Sequence, residues 1–323
     1  MQRIVCTQWG PPEELILRED PDPVPGEGQV LVETAAAGVN FVDALFVAGT
    51  YQIKVPPPFT PGSELAGTVV GVGPGVDLLQ VGDRVLSSVG LGAFASHVVL
   101  PAVAVTRIPD ELDLATAAAL VQSYCTAWFA LDRRTSVRPG ETVLVLGAGG
   151  GVGLAAIDVA RTLGARVIAA ASTDDKLAAA RAIGADEVIA YETEDLKARA
   201  RELSDGGVDV VVDPVGGPHT EPALRALGVF GRLVVIGFAA GSIASLPANQ
   251  VLLKNRTVVG VDWGAWAMQH PAAQAVVLDE VLAAVRAGEL RPVPPAQRRL
   301  VEAPAVLRDL LERRLTGKTV LVP

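Results

Sequence analysis

Cysteine is nearly absent from this chain of 323 residues, which has only Cys6 and Cys125. Two such distant thiols cannot build a disulfide framework or a four-cysteine zinc lobe. The three histidines, His97, His219 and His270, lie far apart and match no metal-ligand spacing. Aromatic residues make up 4% of the chain and hydrophobic residues 50%, so the core must be built mainly from Ala, Val and Leu. No apolar run reaches the roughly eighteen residues that a membrane span needs. The opening Met1-Gln2-Arg3-Ile4-Val5-Cys6 lacks the tripartite pattern of a secretion signal. Positive charge is also short. Lys and Arg number 27 against 36 Asp and Glu, and the net charge of −9 argues against a nucleic-acid or anionic-membrane surface. Together these absences describe a cytoplasmic protein of about two domains, whose ligand charges must be met by local groups.

What the chain does have is a glycine cluster in a telling place. The apolar run Thr142-Val143-Leu144-Val145-Leu146 leads into Gly147-Ala148-Gly149-Gly150-Gly151-Val152-Gly153. Val152, Ala155, Ala156, Val159, Ala160 and Leu163 then recur at helical spacing. A strand, a tight glycine turn and a helix start, in that order, make a dinucleotide site. The glycines let backbone approach a pyrophosphate, and the helix N-terminus offers it unpaired N–H groups. Gly150, Gly151, Val152 and Gly153 are therefore candidate cofactor contacts.

The texture of the chain changes near Ala115. Before it, short runs such as Gln29–Glu33 and Leu65–Val72 are separated by turn clusters like Pro25-Gly26-Glu27-Gly28, as in a compact β-rich unit. After it, apolar strand candidates at Thr142–Leu146, Arg166–Ala171, Glu187–Ala190, Val208–Asp213, Arg232–Ile236 and Thr257–Val261 alternate with helical periodicity. Repeated βα units with fully apolar strands imply an α/β fold with a doubly wound parallel sheet. Helices are expected at Ala272–Ala287 and Ala303–Arg313, and a last strand at Lys318–Val322 that returns to the N-terminal unit.

The second strand of the nucleotide unit ends Ala171-Ser172-Thr173-Asp174-Asp175-Lys176. Its tip is small and uncharged, which leaves room for a ribose 2′-phosphate, with Ser172 as donor and Lys176 as cation. This favours NADPH. The rival reading makes Asp174 a ribose carboxylate and the cofactor NADH. Thr173 and Asp174 also suit a helix cap. Tyr191, after the third strand, either covers the adenine-side ribose or simply packs. Val215, after Asp213-Pro214, and Phe238, after Gly237, fall at the carboxyl ends of the fourth and fifth strands, where open α/β sheets bind ligands.

Gly38-Val39-Asn40-Phe41-Val42-Asp43, Gly49-Thr50-Tyr51, Pro61-Gly62-Ser63-Glu64-Leu65-Ala66-Gly67, Val81-Gly82-Asp83-Arg84-Val85 and the glycine turn occur in the order of the medium-chain dehydrogenase/reductase superfamily. The chain most resembles its zinc-free quinone oxidoreductases, the zeta-crystallin-like branch. The resemblance implies a GroES-like β-rich catalytic domain from residues 1–120 and 264–323, around a Rossmann dinucleotide-binding domain at 121–263. It implies a nicotinamide in the cleft between them and a homodimer joined through the Thr257–Val261 sheet edge. Asn40, Ser63 and Gln122 stand where zinc-bearing members carry their catalytic ligands, so the resemblance implies no metal. It also places Asn40 and Thr126 near the nicotinamide and its ribose, and Arg314 at a cofactor phosphate, although Arg314 also reads as part of a solvated charge run.

Without zinc to manage a hydroxyl proton, the natural reaction is hydride delivery from NADPH to a small electrophilic acceptor, a quinone or an α,β-unsaturated carbonyl. Asn40 and Tyr51 are the candidate catalytic groups. Tyr51 either donates to the developing oxygen charge or serves as an aromatic wall, and Asn40 either acts directly or is a structural amide. An enoyl-thioester reductase and a non-catalytic NADPH-binding protein remain as alternatives. Trp263 and Trp266 are expected either to border the substrate or to pack.

Overall fold

The computed structural model describes all residues, 1–323. Fifteen strands form in chain order. The first seven are β1 (Gln2–Val5), β2 (Ile16–Glu19), β3 (Gln29–Gly38), β4 (Glu64–Val72), β5 (Arg84–Ser88), β6 (His97–Pro101) and β7 (Thr106–Arg107). Six more follow the change in texture: β8 (Thr142–Leu146), β9 (Arg166–Ala171), β10 (Glu187–Ala190), β11 (Val208–Asp213), β12 (Leu227–Val235) and β13 (Thr257–Gly260). The last two are β14 (Ala296–Arg299) and β15 (Thr319–Val322). The chain divides into two compact units, Met1–Gln122 with Val293–Pro323, and Ser123–Pro292.

The first unit is the GroES-like one. Its main sheet runs β14-β15-β3-β4-β5-β7, with β6 also paired to β3. Alternation puts Val30 and Val32 of β3 and Leu65 and Val69 of β4 into one core with Val85, Phe94, Leu100, Leu307 and Leu321. β15 enters antiparallel to β3, with Val320 opposite Gly38 and Leu321 opposite Ala37. That register sets residue 318 beside residues 39 and 40, and Val39 N–H donates to Thr319 O at 3.0 Å.

The second unit is a Rossmann-type α/β layer. Its six strands are all parallel, in the order β10-β9-β8-β11-β12-β13. Val143, Leu144, Val145, Ile168, Val210 and Val211 are fully buried, as strands covered on both faces require. The order reverses direction at β8 and β11, which is where such sheets open a ligand crevice at their carboxyl ends.

Residues 264–292, expected in the first unit, lie in the second. The reason is a set of polar ties along the helix Pro271–Arg286 and the turn after it. Trp128 Nε1 donates to Glu280 at 2.9 Å. Asp158, wholly buried, accepts from Tyr124 Oη at 3.0 Å, Arg161 at 2.9 Å and the Arg291 amide at 2.6 Å. Burial of a carboxylate is tolerated only with such partners, so these bonds fix the turn to the sheet's helical layer. No helix is long and apolar enough to cross a membrane.

Candidate functional site

The carboxyl edge of the second unit gathers most of the cofactor candidates. β8 ends at Leu146, and the helix Gly151–Thr162 starts from Gly150, which has no side chain to cap it. The first N–H groups of that helix therefore face outward for an anion. A Cβ on Gly153 would overlap Gly147 O and lie 2.8 Å from Ala148 Cα, so only glycine lets the helix sit this tightly on its turn. A Cβ on Gly149 would overlap the stem of Lys176. Lys176 thus lies directly across the turn.

Lys176 Nζ stands 3.5 Å from Ser172 Oγ, and the two form a donor pair at the tip of β9. Thr173 caps the next helix by accepting the Lys176 N–H, also at 3.5 Å. Asp174 is exposed in the first turn of that helix. Tyr191 follows β10, where its N–H meets Ala171 O at 3.3 Å and its ring lies 4.3 Å from that of His219. Asp213, wholly buried, accepts from the Val215 and Gly216 amides at 2.9 and 2.8 Å and from Thr220 Oγ1 at 2.7 Å. It acts as a structural knot that shapes the turn bearing Val215. Ala240 N–H then donates to Val215 O at 2.8 Å, which draws the loop after Phe238 over the end of β11. Thr126 is buried in the short helix Thr126–Trp128, which packs on the helix Gly151–Thr162. Gly150–Gly153, Ser172, Lys176, Tyr191, Val215 and Phe238 therefore share one edge. An anion arriving there would meet helix N–H groups, a hydroxyl and an ammonium.

The two tryptophans are accounted for by packing. Trp263 is buried and donates to Gln274 at 2.7 Å, while Trp266 stacks on Phe129 with ring centres 4.4 Å apart.

The first unit holds a different kind of site. Asn40 ends the turn after β3 and precedes the helix Phe41–Val47, and its backbone N–H donates to Asp43 Oδ2 at 2.7 Å. Its side-chain Nδ2 donates to Ser63 Oγ at 3.1 Å and to Glu64 Oε1 at 2.9 Å. Lys318 Nζ donates to Asn40 Oδ1 at 2.6 Å, to Glu64 Oε1 at 2.7 Å and to Val39 O at 3.2 Å. Gln122 N–H donates to Glu64 Oε2 at 2.9 Å. Glu64 is wholly buried, and the Lys318 side chain is 11% exposed. Every ammonium proton and both amide protons have an acceptor, so the network is complete.

Asp43 lies beneath it, fully buried, with Oδ1 unpartnered. Burial pushes its carboxyl up to about 7, against the Asn40 amide, the nearby Ser63 hydroxyl and the Lys318 charge.

Tyr51 lies in the loop that follows the helix Phe41–Val47. Its ring tilts against Phe46 at 4.8 Å, and its N–H meets Leu45 O at 3.3 Å. Trp9 Nε1 donates to Val55 O at 3.0 Å and Lys54 reaches Gly49 O, which together tie down the loop that bears Tyr51. Arg314 is engaged elsewhere. Its guanidinium bonds Asp309 at 2.5 and 3.0 Å and also Glu312, so a phosphate would have to displace two carboxylates.

Sequence reasoning missed Lys318. A lysine beside an apolar strand reads as a solvated end, and its partner Glu64 is 254 residues away. His219 has a packing role, its ring set against Tyr191.

Known proteins share this architecture. Residues 26–110 match the alcohol dehydrogenase GroES-like domain, and residues 151–279 match the zinc-binding dehydrogenase family. Quinone oxidoreductase-like protein 2 of Mus musculus is 38% identical over 320 residues, covering 98% of this chain and 91% of that protein. The structure of Escherichia coli quinone oxidoreductase complexed with NADPH superposes with a TM-score of 0.90 at 30% identity, over all of both chains. That of the CurK enoyl reductase gives 0.88 at 27%, over 99% of this chain and 98% of that one.

The zinc of the family model's name does not fit the residues here. The ligand positions hold an amide, a hydroxyl and a glutamine, and no group of three His, Cys, Asp or Glu side chains could hold a metal. An ammonium ion already occupies the centre of that network. The fold, the motifs and the relatives together place the chain in the medium-chain dehydrogenase/reductase superfamily, within the quinone-oxidoreductase branch of NAD(P)H-linked oxidoreductases.

Proposed function

We propose that this protein is an NADPH-dependent reductase of quinones or α,β-unsaturated carbonyl compounds that works without zinc. The observation that carries the reading is the Asn40–Ser63–Glu64–Lys318 network. Where an alcohol dehydrogenase needs a Lewis acid to handle a hydroxyl proton, this chain has a closed set of hydrogen bonds around a lysine. An electron-poor conjugated acceptor needs no such acid, because it spreads the incoming charge onto its own oxygen.

Bound NADPH supplies the hydride. The chain's own part begins at the sheet edge, where the N–H groups of Gly151, Val152 and Gly153 would receive the pyrophosphate charge. Ser172 and Lys176, 3.5 Å apart, would hold the 2′-phosphate, and Tyr191 with Val215 would border the adenine half. Thr126 contributes to holding the nicotinamide ribose. In the first unit, Asn40 and Tyr51 orient the acceptor and donate to its oxygen as charge develops there. The NADPH complex of the Escherichia coli relative supports the choice of cofactor.

A second reading, reduction of an enoyl thioester, is favoured by the likeness to an enoyl reductase and by Tyr51 at the edge of its loop. We also propose a homodimer joined through β13, which pairs on one side only.

The test follows NADPH oxidation by absorbance with benzoquinone, phenanthrenequinone and crotonyl-CoA, repeated with NADH and with a chelator. Chelator-resistant quinone turnover with NADPH supports the first reading. Preference for crotonyl-CoA supports the second. Tight NADPH binding without turnover of any acceptor would leave a non-catalytic role. Loss of activity with chelator would sink the metal-free mechanism.

A further inference from the structure

We propose that Lys318 is a positioning residue for the reduction, acting through Asn40 as a cation built into the chain. The inference rests on the proposed reaction for its kinetic consequence and on the geometry alone for its structural one.

An asparagine amide can be turned either way with almost no change in shape. Here only one orientation works. Lys318 has three protons and no acceptor capacity, so the atom it meets at 2.6 Å must be Oδ1. Nδ2 is then directed at Ser63 and Glu64, both acceptors. The flipped amide would set two donors against each other at Lys318 and an oxygen against the Glu64 carboxylate. The ammonium therefore decides which face Asn40 presents.

The charges are arranged to do this locally. Glu64 lies 2.7 Å from the ammonium and neutralises it, so the site gains no net positive charge. What remains is a directed field along the Asn40 amide. Pulling electron density toward Oδ1 makes the Nδ2 protons better donors. Of the two bonds they make, the one to the Ser63 hydroxyl at 3.1 Å is the longer. A hydroxyl can rotate away, whereas the carboxylate is fixed by Lys318 and the Gln122 N–H. The Ser63-side proton stays fixed in the amide plane, and once the hydroxyl has rotated away it is the one left for an acceptor oxygen as that oxygen gains charge.

The fold delivers this lysine by strand pairing. Lys318 O accepts the Ala296 N–H at 2.9 Å, and Val39 N–H bonds Thr319 O. These bonds hold the backbone at 318 in place whatever side chain it carries, so substitution there tests the ammonium itself.

The experiment compares Lys318→Met and Lys318→Arg with the unaltered protein. It reads kcat, KM for NADPH and the ¹⁵N side-chain amide signal of Asn40, assigned by its loss in Asn40→Ala. We expect Lys318→Met to lower kcat about tenfold or more while KM for NADPH stays within about twofold, the pattern of a lost transition-state interaction. The Asn40 amide signal should move, and Lys318→Arg should restore much of both. A folded Lys318→Met protein with unchanged kcat and an unmoved Asn40 signal would overturn the proposal. So would a variant that only melts earlier while keeping full kcat below its melting temperature. If the unaltered protein reduces no acceptor, the proposed reaction fails, and the Asn40 signal still decides whether Lys318 sets the amide.

Discussion

The side chain of Lys176 lies across Gly149 so closely that even a methyl group at 149 would collide with the lysine's Cβ and Cγ. This couples the pyrophosphate turn to the group assigned to the 2′-phosphate. Gly149→Ala must displace Lys176 and with it the 3.5 Å approach to Ser172. We expect it, like Lys176→Ala, to raise KM for NADPH about tenfold and to leave KM for NADH nearly unchanged, as the loss of a charge-assisted contact requires. Parallel titration of both cofactors checks this. Equal losses for the two would mean that the turn itself, and not the lysine, had been damaged.

The glycine turn was readable because its signal is local: a strand, a turn and a helix within a dozen residues. The six strands of the parallel sheet were readable for the same reason, since a strand buried on both faces is a continuous apolar run. β12 proved longer than expected, beginning at Leu227 where Arg232 was predicted, because Val229 and Phe230 ride outward on its irregular start. The Asn40 network could not be read this way. Its parts come from residues 39–40, 63–64, 122 and 318, and only the pairing of β15 with β3 brings the last to the first. Arg314, open in the sequence between a cofactor phosphate and a solvated charge run, has partners that are hidden for a related reason. Asp309 and Glu312 sit at neighbouring positions in the sequence, yet only the fold shows them closing on its guanidinium.

Asp213 is a structural knot, and its three bonds give that role a magnitude. Asp213→Ala would leave the Val215 and Gly216 amides and the Thr220 hydroxyl without their acceptor in a buried turn. We expect a loss on the order of 3 kcal/mol in urea unfolding. Thr220→Val should cost less, about 1 kcal/mol, since it removes one of the three bonds. NADPH affinity should fall with Asp213→Ala even under conditions where the protein stays folded, because the turn it shapes carries Val215.

Asp43 makes stability depend on pH. Its carboxyl ordinarily titrates near 3.8, and burial raises this to about 7 in the folded chain. The folded state then holds a proton that the unfolded state has released. The contribution is therefore fully present below pH 3.8, and it is lost as pH rises through about 7. Asp43→Asn should flatten that fall, because an amide does not titrate and can still accept the Asn40 N–H. Urea midpoints measured across this range compare the two proteins. An identical slope in both would show that Asp43 is ionised throughout.

The dimer proposal turns on which amides face outward from β13. Val261 N–H donates to Val235 O at 2.9 Å, so it points toward β12. Successive N–H groups along a strand point to opposite sides, which puts those of Val259 and Thr257 on the β12 side and those of Val258 and Gly260 on the open edge. Val258→Pro therefore removes an outward donor and no bond to β12. Proline is tolerated on an edge strand for this reason. If two copies join by pairing their β13 strands, Val258→Pro should shift sedimentation equilibrium toward the monomer while the NADPH site remains intact. A dimer of undiminished stability in this variant would mean that the copies meet on another surface.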